Sequence, residues 1–127
     1  MAAKPGAVVF NISIAEAAQT DLDDILDRTT HAFGAVGRNR YEALIQTALT
    51  DLLVDPGRIG VRQRDDIGAG ICAYHLLTSR KRTTSAAQVA KPRHLVLFRL
   101  QSNFIQVLRL LHDSMDFTRH ASDLERD

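Results

Sequence analysis

A polar cluster closes the last apolar run of the chain, and its side chains are the ones best suited to chemistry. Arg109, His112, Asp113, Ser114 and Asp116 all lie between positions 109 and 116. Histidine titrates near neutral pH and can act as an acid or a base. The structural interpretation, which we favour, is that His112 hydrogen bonds to Asp113 or Asp116 and fixes a turn.

Arg109 interrupts an otherwise apolar strand, Phe104 to Leu111. If its side chain faces the core it must be paired, because an unpaired buried charge is very costly. Asp113 or Asp116 could be that partner. Alternatively, Arg99 and Arg109 face the open side of the sheet and present charge to a partner. The sequence leaves both possibilities open.

The other histidines and the single cysteine indicate structural roles. His75 and His94 lie in predicted strands beside apolar neighbours, which favours packed or edge-facing rings. His31 and His120 are expected at the surface, and Cys72 is expected to be a small buried hydrophobic residue in a reducing compartment. The histidines and Cys72 lack the spacing of metal ligands, so we expect no metal and no cofactor.

The first half of the chain reads as a strand followed by two helices. Val8 to Ile12 is rich in β-branched and aromatic residues, and Ser13 to Glu16 matches a capping box. Apolar residues then recur at helical spacing up to Gly34, which is suited to a helix C-terminus. A second periodic segment ends at Asp55-Pro56-Gly57. A short link between two such helices predicts an antiparallel helical hairpin.

The second half of the chain reads as strands. We predict an edge strand at Val61 to Arg64, a strand at Ile71 to Thr78, and a hairpin of Leu95 to Leu100 with Phe104 to Leu111. Segregated helices and consecutive strands predict an α+β fold with two layers and one antiparallel sheet. We expect a single domain over 1–127, with tails at 1–7 and 117–127 and an exposed loop at 79–92.

Charge is distributed unevenly along the chain. The net charge is only +1, but residues 58–120 hold eleven basic and four acidic residues, whereas residues 1–57 hold four basic and eight acidic residues. The basic half could face an acidic partner. The modest total argues against binding that depends mainly on nucleic acid phosphates. No apolar run approaches the length of a membrane helix, so we expect a cytoplasmic protein.

The order of elements and several ordered residue groups resemble the RelE/ParE superfamily of bacterial type II toxins. Phe33-Gly34 matches the turn between the helices, and Pro56-Gly57 matches the end of the second helix. Tyr74-His75-Leu76, the segment from Arg93 to Arg99 and the segment from Leu108 to Asp116 match the later strands. The ParE branch is the most similar. The resemblance implies a toxin that inhibits DNA gyrase by protein binding and is neutralised in a hetero-oligomer by a ParD-like antitoxin with an acidic disordered segment.

The RelE branch, whose members cut messenger RNA on the ribosome, is the alternative. In that case His112 would act as acid or base, and Arg93, Arg99 and Arg109 would bind phosphate. The C-terminal signature lacks a tyrosine, and all three lysines fall in predicted loops or tails, so we favour the ParE reading. Target binding is then assigned to Arg109, His112, Asp113 and Ser114, with no catalytic residue. A relic that binds antitoxin without toxicity is a third reading.

Overall fold

The computed structural model describes residues 11–83 and 88–115. The helical segment α1 (Glu16–Val54) lies between a first strand and four later ones: β1 (Asn11–Ile14), β2 (Arg62–Gln63), β3 (Ile71–His75), β4 (His94–Leu100) and β5 (Phe104–His112). A 3₁₀ helix (Leu76–Arg82) follows β3. Expectations for residues 1–10, for Thr84 and Ser85, for Asp116 and for the C-terminal tail fall outside the described residues.

The five strands form one sheet in the order β1-β5-β4-β3-β2. Neighbouring strands from β2 to β5 are antiparallel, as predicted. β1 lies at the far edge and runs parallel to β5, pairing Asn11 with Phe104 and Ile14 with Val107. The expectation of a wholly antiparallel sheet is therefore wrong at this edge, because the chain passes through α1 before it returns to the sheet. The α+β class is confirmed.

The helical segment α1 is two helices joined at Gly34. Gly34 has φ 74° and ψ −173°, values outside the helical region, and only glycine adopts this conformation without strain. The predicted helix break at Gly34 is therefore confirmed. The predicted capping box is wrong. Ser13 pairs with Gln106 inside β1, and Ala15, which stands at the helix N-cap, makes no side-chain capping hydrogen bond.

Two apolar clusters lie on opposite faces of the sheet. The larger joins both arms of α1 to residues such as Tyr74, Phe98 and Val107. The smaller contains Ile67 from the loop before β3 together with strand residues such as Leu97 and Leu108. Because neighbouring strand residues point to opposite faces, both faces of β4 are apolar. The central strands are thus rigidly held, and their ends are fixed platforms for polar side chains.

Two predicted segments end differently in the structure. The strand predicted to reach Thr78 stops at His75, because the 3₁₀ helix begins at Leu76. The predicted exposed loop is not exposed at its ends, since Ser79 is fully buried and Pro92 is buried. The short edge strand is confirmed as β2. Among the described residues, no helix combines the length and apolar character needed to cross a membrane.

Candidate functional site at the ends of three strands

Three histidines meet where β3 and β5 end and β4 begins. His94 is the cross-strand neighbour of His112, and their ring centroids lie 5.3 Å apart at an edge-to-face angle. His75 closes β3, which pairs with β4 on its other side. Sequence reasoning treated these histidines separately. Strand register brings them to one end of the sheet.

Asp113 links the ends of these strands through ion pairs. Its carboxylate accepts hydrogen bonds from Arg93, at 3.0 Å to Nε and 2.9 Å to Nη2. It also accepts one from His75 Nε2 at 3.1 Å. His75 Nδ1 accepts the backbone N–H of Leu77, so the ring proton is on Nε2. The hydrogen bonds from Arg93 and then His75 hold the pKa of Asp113 at about 2. The carboxylate is therefore ionised at any physiological pH.

Tyr41 joins the helical layer to the same end of the sheet. Its hydroxyl accepts the backbone N–H of Arg93 at 3.3 Å and lies 2.6 Å from His94 Nδ1. The hydroxyl proton is therefore donated to His94. Burial raises the pKa of Tyr41 to about 12, and burial lowers the pKa of His94 to about 4. Both groups are neutral at pH 7, which suits a packed hydrogen-bonded pair.

His112 is held by the residue two positions further along the chain. Its Nδ1 accepts a hydrogen bond from Ser114 Oγ at 2.7 Å and from the Ser114 backbone N–H at 3.2 Å. Asp113 Oδ1 lies 3.6 Å from the same nitrogen. His112 therefore does bond within the turn, but its partner is Ser114 rather than the expected Asp113, and Asp116 lies outside the described residues. His112 remains about one-third exposed.

A groove opens beside these residues, under the tip of the helical hairpin. This tip groove has a volume of about 680 Å³, and its lining includes Phe33, Val36, Arg40, Tyr41, Lys91, Arg93, His94 and His112. A second groove of about 650 Å³ shares Phe33, His94 and His112, and adds Arg109, Ser114 and Met115. Among the described residues that line the tip groove there are three cations and no carboxylate.

Arg109 is paired, but with a residue that the sequence did not suggest. Its guanidinium donates to Asp21 at 2.7 and 3.0 Å, and Asp21 also accepts the backbone N–H of Leu110. Asp113, one of the two expected partners, is instead engaged by Arg93 and His75, and Asp116, the other, lies outside the described residues. An irregularity in the β4–β5 register lies beside Arg109.

Arg99 does not join the site. It lies near the opposite end of β4, where its Nε donates to the carbonyl of Ala69 at 3.3 Å. It is five positions along the strand from His94, a distance of about 17 Å. Of the four residues named for RNA cleavage, the structure therefore brings together Arg93, His112 and, along the second groove, Arg109.

Sequence reasoning missed Tyr41, Asp21 and the buried Asp51. Asp51 is 5% exposed and accepts bonds from Arg58, Arg82 and Ser79 at 2.8, 2.8 and 2.6 Å. Ser79 also contacts the Tyr74 hydroxyl. A usable signal was present for Asp51, because it lies between the apolar residues Leu49, Leu52 and Leu53 of a helix. A carboxylate in such surroundings needs partners.

No group of three or more histidine, cysteine or carboxylate side chains is placed to hold a metal ion within residues 11–83 and 88–115. Cys72 is half-buried at the core, and burial raises the pKa of its thiol.

Comparison with known proteins identifies the family. The family model of the ParE toxin of type II toxin-antitoxin system, parDE, matches residues 12–117. The chain belongs to the ParE toxin family. The match extends from β1 to just beyond the polar cluster that follows β5, so it includes every element that builds the site. No curated protein matches the chain at a significant level.

A solved structure supports the ParE fold. A chain from a structure described as the chromosomal ParDE TA system from P. aeruginosa superposes with a TM-score of 0.61 at 16% identity. The similarity covers 82% of this chain and 96% of the other. At that identity the likeness concerns the fold alone. The protein is thus a ParE-like type II toxin, as the sequence resemblance implied, and its target is a separate question.

Proposed function

We propose that this ParE toxin acts by binding a protein, DNA gyrase, in the cytoplasm, and that a cognate antitoxin neutralises it. The observation that carries the proposal is that the charged groups at the ends of the strands satisfy one another. Arg93 is engaged by Asp113 through two nitrogens, and Arg109 is engaged in the same way by Asp21. A nuclease needs cations that are open to the phosphate of its substrate.

The remaining groups also favour binding over cleavage. With a pKa of about 12, Tyr41 is a weak general base at pH 7. His94 has a pKa of about 4 and accepts a hydrogen bond from the Tyr41 hydroxyl, so it carries no charge to hold phosphate. The ionised Asp113 carboxylate lies within hydrogen-bonding distance of Arg93 and His75 and repels an approaching phosphate. These groups support a rigid, polar protein-binding surface at Arg109, His112, Asp113 and Ser114.

One observation favours the endoribonuclease as a second candidate. His112 and Arg93 line the same groove, and Ser114 orients the His112 ring through Nδ1, which places the ring proton on Nε2. An oriented imidazole beside an arginine brings a side chain of the acid-base type next to a ligand for phosphate, although acting as an acid would require a second proton on Nδ1 in place of the contacts from Ser114. RNA cleavage by this chain would have to displace Asp113 from Arg93.

The tip groove suits the antitoxin. Apolar side chains line it together with Arg40, Lys91 and the Arg93 that Asp113 already engages. An acidic segment that orders on binding gains from the apolar burial and from Arg40 and Lys91. Phe33 and Val36 are 75% and 63% exposed, which is far more than core residues of a helical hairpin usually show. The proposed complex places acidic antitoxin residues near Arg40 and Lys91.

Two assays on the purified toxin test the proposal. A gyrase supercoiling assay should show inhibition that is relieved by the co-expressed antitoxin. A translating extract should show intact messenger RNA at the same toxin concentration. Cleavage of messenger RNA that disappears with His112→Ala, together with uninhibited gyrase, would reject the gyrase proposal in favour of the second candidate.

A further inference from the structure

Three large aliphatic side chains are exposed at one corner of the molecule. Val54 is 79% exposed, Ile59 is 93% exposed and Leu77 is 55% exposed. We call this group the apolar corner. Isolated exposed aliphatic residues are ordinary, whereas a group of them on a soluble protein usually marks an interaction surface.

Short-range contacts bring the three residues together. Val54 and Ile59 flank a tight turn in which the Arg58 N–H bonds to the Asp55 carbonyl at 3.1 Å. Gly60 then packs against Thr78, because a Cβ on Gly60 would lie 2.8 Å from the Thr78 methyl group. Leu77 is the neighbour of Thr78 in the 3₁₀ helix. The end of α1, the turn after it and the 3₁₀ helix therefore form one surface.

The apolar corner is held in place from below by Asp51. Arg58, from the turn, and Arg82, from the end of the 3₁₀ helix, each pair with Asp51 at 2.8 Å. Ser79, from the middle of the 3₁₀ helix, donates to the same carboxylate at 2.6 Å. A surface that is ordered before binding loses little conformational entropy when a partner arrives.

The surroundings of the apolar corner are basic. Arg62, Arg80 and Lys81 lie on β2 and on the 3₁₀ helix, and Arg58 and Arg82 share the single buried carboxylate of Asp51. The carboxylates of these same segments are Asp55 and the buried Asp51. A second copy of the chain is a poor occupant, because a symmetric contact would place cations against cations. The complementary partner is a protein with an acidic surface around an apolar pocket.

The apolar corner is also continuous with the C-terminal polar cluster. Asp113 accepts a hydrogen bond from His75 Nε2 at 3.1 Å, and His75 Nδ1 accepts the Leu77 N–H at 3.0 Å. Two hydrogen bonds thus connect the segment proposed to bind the target with Leu77 of the apolar corner.

We propose that the apolar corner is the hydrophobic centre of the surface that docks the protein target of the toxin, and that an acidic surface of the target meets the surrounding cations. The inference rests on the proposed function in one respect, namely that toxicity results from protein binding. It does not require that the target be gyrase. Buried aliphatic centres with charged rims are the usual anatomy of a protein interface.

The test uses the full-length toxin with Ile59→Asp and Leu77→Asp, alone and together. Leu100→Asp is the matched control, because Leu100 is an aliphatic residue 47% exposed at the other end of β4. Growth arrest on induction, co-purification with the antitoxin and inhibition of gyrase are measured for each variant. We expect the double variant to lose at least ten-fold in growth arrest and to keep antitoxin binding, while Leu100→Asp behaves as wild type.

Each other result has a definite meaning. Full growth arrest by the double variant overturns the docking surface, as does loss of antitoxin binding with growth arrest preserved. If the double variant stops arresting growth although wild-type toxin leaves gyrase uninhibited, the docking surface stands and the gyrase assignment fails. If the double variant inhibits gyrase as the wild-type toxin does, the docking surface is wrong and the gyrase assignment stands. Lys81→Glu, a charge reversal that leaves the aliphatic residues intact, should weaken growth arrest in the same direction.

Discussion

Arg109 of β5 and Asp21 of the first helical arm form a two-point ion pair, with nitrogen–oxygen distances of 2.7 and 3.0 Å. Both side chains are largely buried, at 16% and 14% exposure. Asp21 also accepts the backbone N–H of Leu110 at 3.0 Å. One carboxylate therefore neutralises a strand arginine and satisfies a backbone donor of β5 beyond the point where β1 stops pairing.

Asp21→Ala should destabilise the fold strongly. It leaves a largely buried guanidinium without this partner, and losing one member of such a pair costs about 3 kcal/mol. Chemical denaturation should show a lower midpoint concentration of denaturant, by the amount that corresponds to this loss in the free energy of unfolding. Asp23→Ala, which removes an exposed carboxylate from the same helical arm, should change the free energy of unfolding by less than about 0.5 kcal/mol. Equal effects of the two variants would contradict the assignment.

Asp51→Ala should loosen the 3₁₀ helix as well as lower stability. The Asp51 carboxylate is only 5% exposed and pairs with two arginines. Its loss should lower the free energy of unfolding by about 3 kcal/mol. Trypsin cleavage after Arg80, Lys81 or Arg82 should accelerate, because Arg82 and Ser79 lose their anchor on α1. Asp55→Ala is the control, since Asp55 is exposed and bonds locally to Gly57. Unchanged cleavage in Asp51→Ala would show that other contacts hold the 3₁₀ helix.

Gly34→Ala should destabilise the protein through backbone conformation alone. No atom lies within 4 Å of a Cβ placed at Gly34, but its φ of 74° disfavours any L side chain. The expected cost is about 1–2 kcal/mol, measured by thermal unfolding. Gly57→Ala is the matched control, because Gly57 also has space for a Cβ and does not have a positive φ. A neutral Gly34→Ala would mean that the hairpin tip relaxes without cost.

Stability should fall as the pH is lowered through the range set by His94. Burial lowers the folded-state pKa of His94 from 6.5 to about 4, so the unfolded chain binds the proton more readily. The stabilisation that comes from the neutral His94 ring is complete above pH 6.5 and is lost progressively as the pH falls to about 4. The pKa of Asp113 is lowered to about 2, so the stabilisation from its ionised carboxylate is lost only as the pH falls below the ordinary pKa of an aspartate.

Unfolding measured between pH 4 and pH 7.5 checks this pH dependence. His94→Gln keeps an acceptor for the Tyr41 hydroxyl and removes the titrating ring, so its profile should be flatter over that interval. His31→Gln serves as the control, because His31 is 80% exposed. A wild-type profile that is flat from pH 7.5 to pH 4 would show that His94 protonates in the folded protein without cost.

Local patterns predicted much of the fold. Helical periodicity and Gly34 indicated the two helices, and the alternating apolar runs indicated β4 and β5 almost to the residue. Ser13 led to a wrong prediction because the capping-box spacing is a local signal. In the structure Ser13 lies in β1 and pairs with Gln106, which is far away in the sequence. The same limitation applies to the 3₁₀ helix, whose buried Ser79 depends on Asp51, 28 residues earlier.

The site was predicted only in part, for a similar reason. His112 was expected to bond within a turn, but its partner is Ser114, two residues along the chain, and not the expected Asp113. Arg109 and Asp21 are 88 residues apart, and no spacing rule links them. Tyr41 lies among the periodic apolar residues of the second helix and is buried, but its hydroxyl contacts His94 only because the helical layer packs on the sheet. Long-range partners of polar side chains are set by tertiary packing.

The way the sheet ends has a consequence for solubility. At one margin, β1 pairs with β5 only as far as Val107, and the Asp21 carboxylate occupies the next stretch through the Leu110 amide. At the other margin, β2 is only two residues long and exposes Arg62 and Gln63. Within residues 11–83 and 88–115, neither margin offers a long row of open amides and carbonyls to a foreign strand. The protein is thereby protected against fibrous self-assembly, and mutations at Asp21 should promote aggregation on that side.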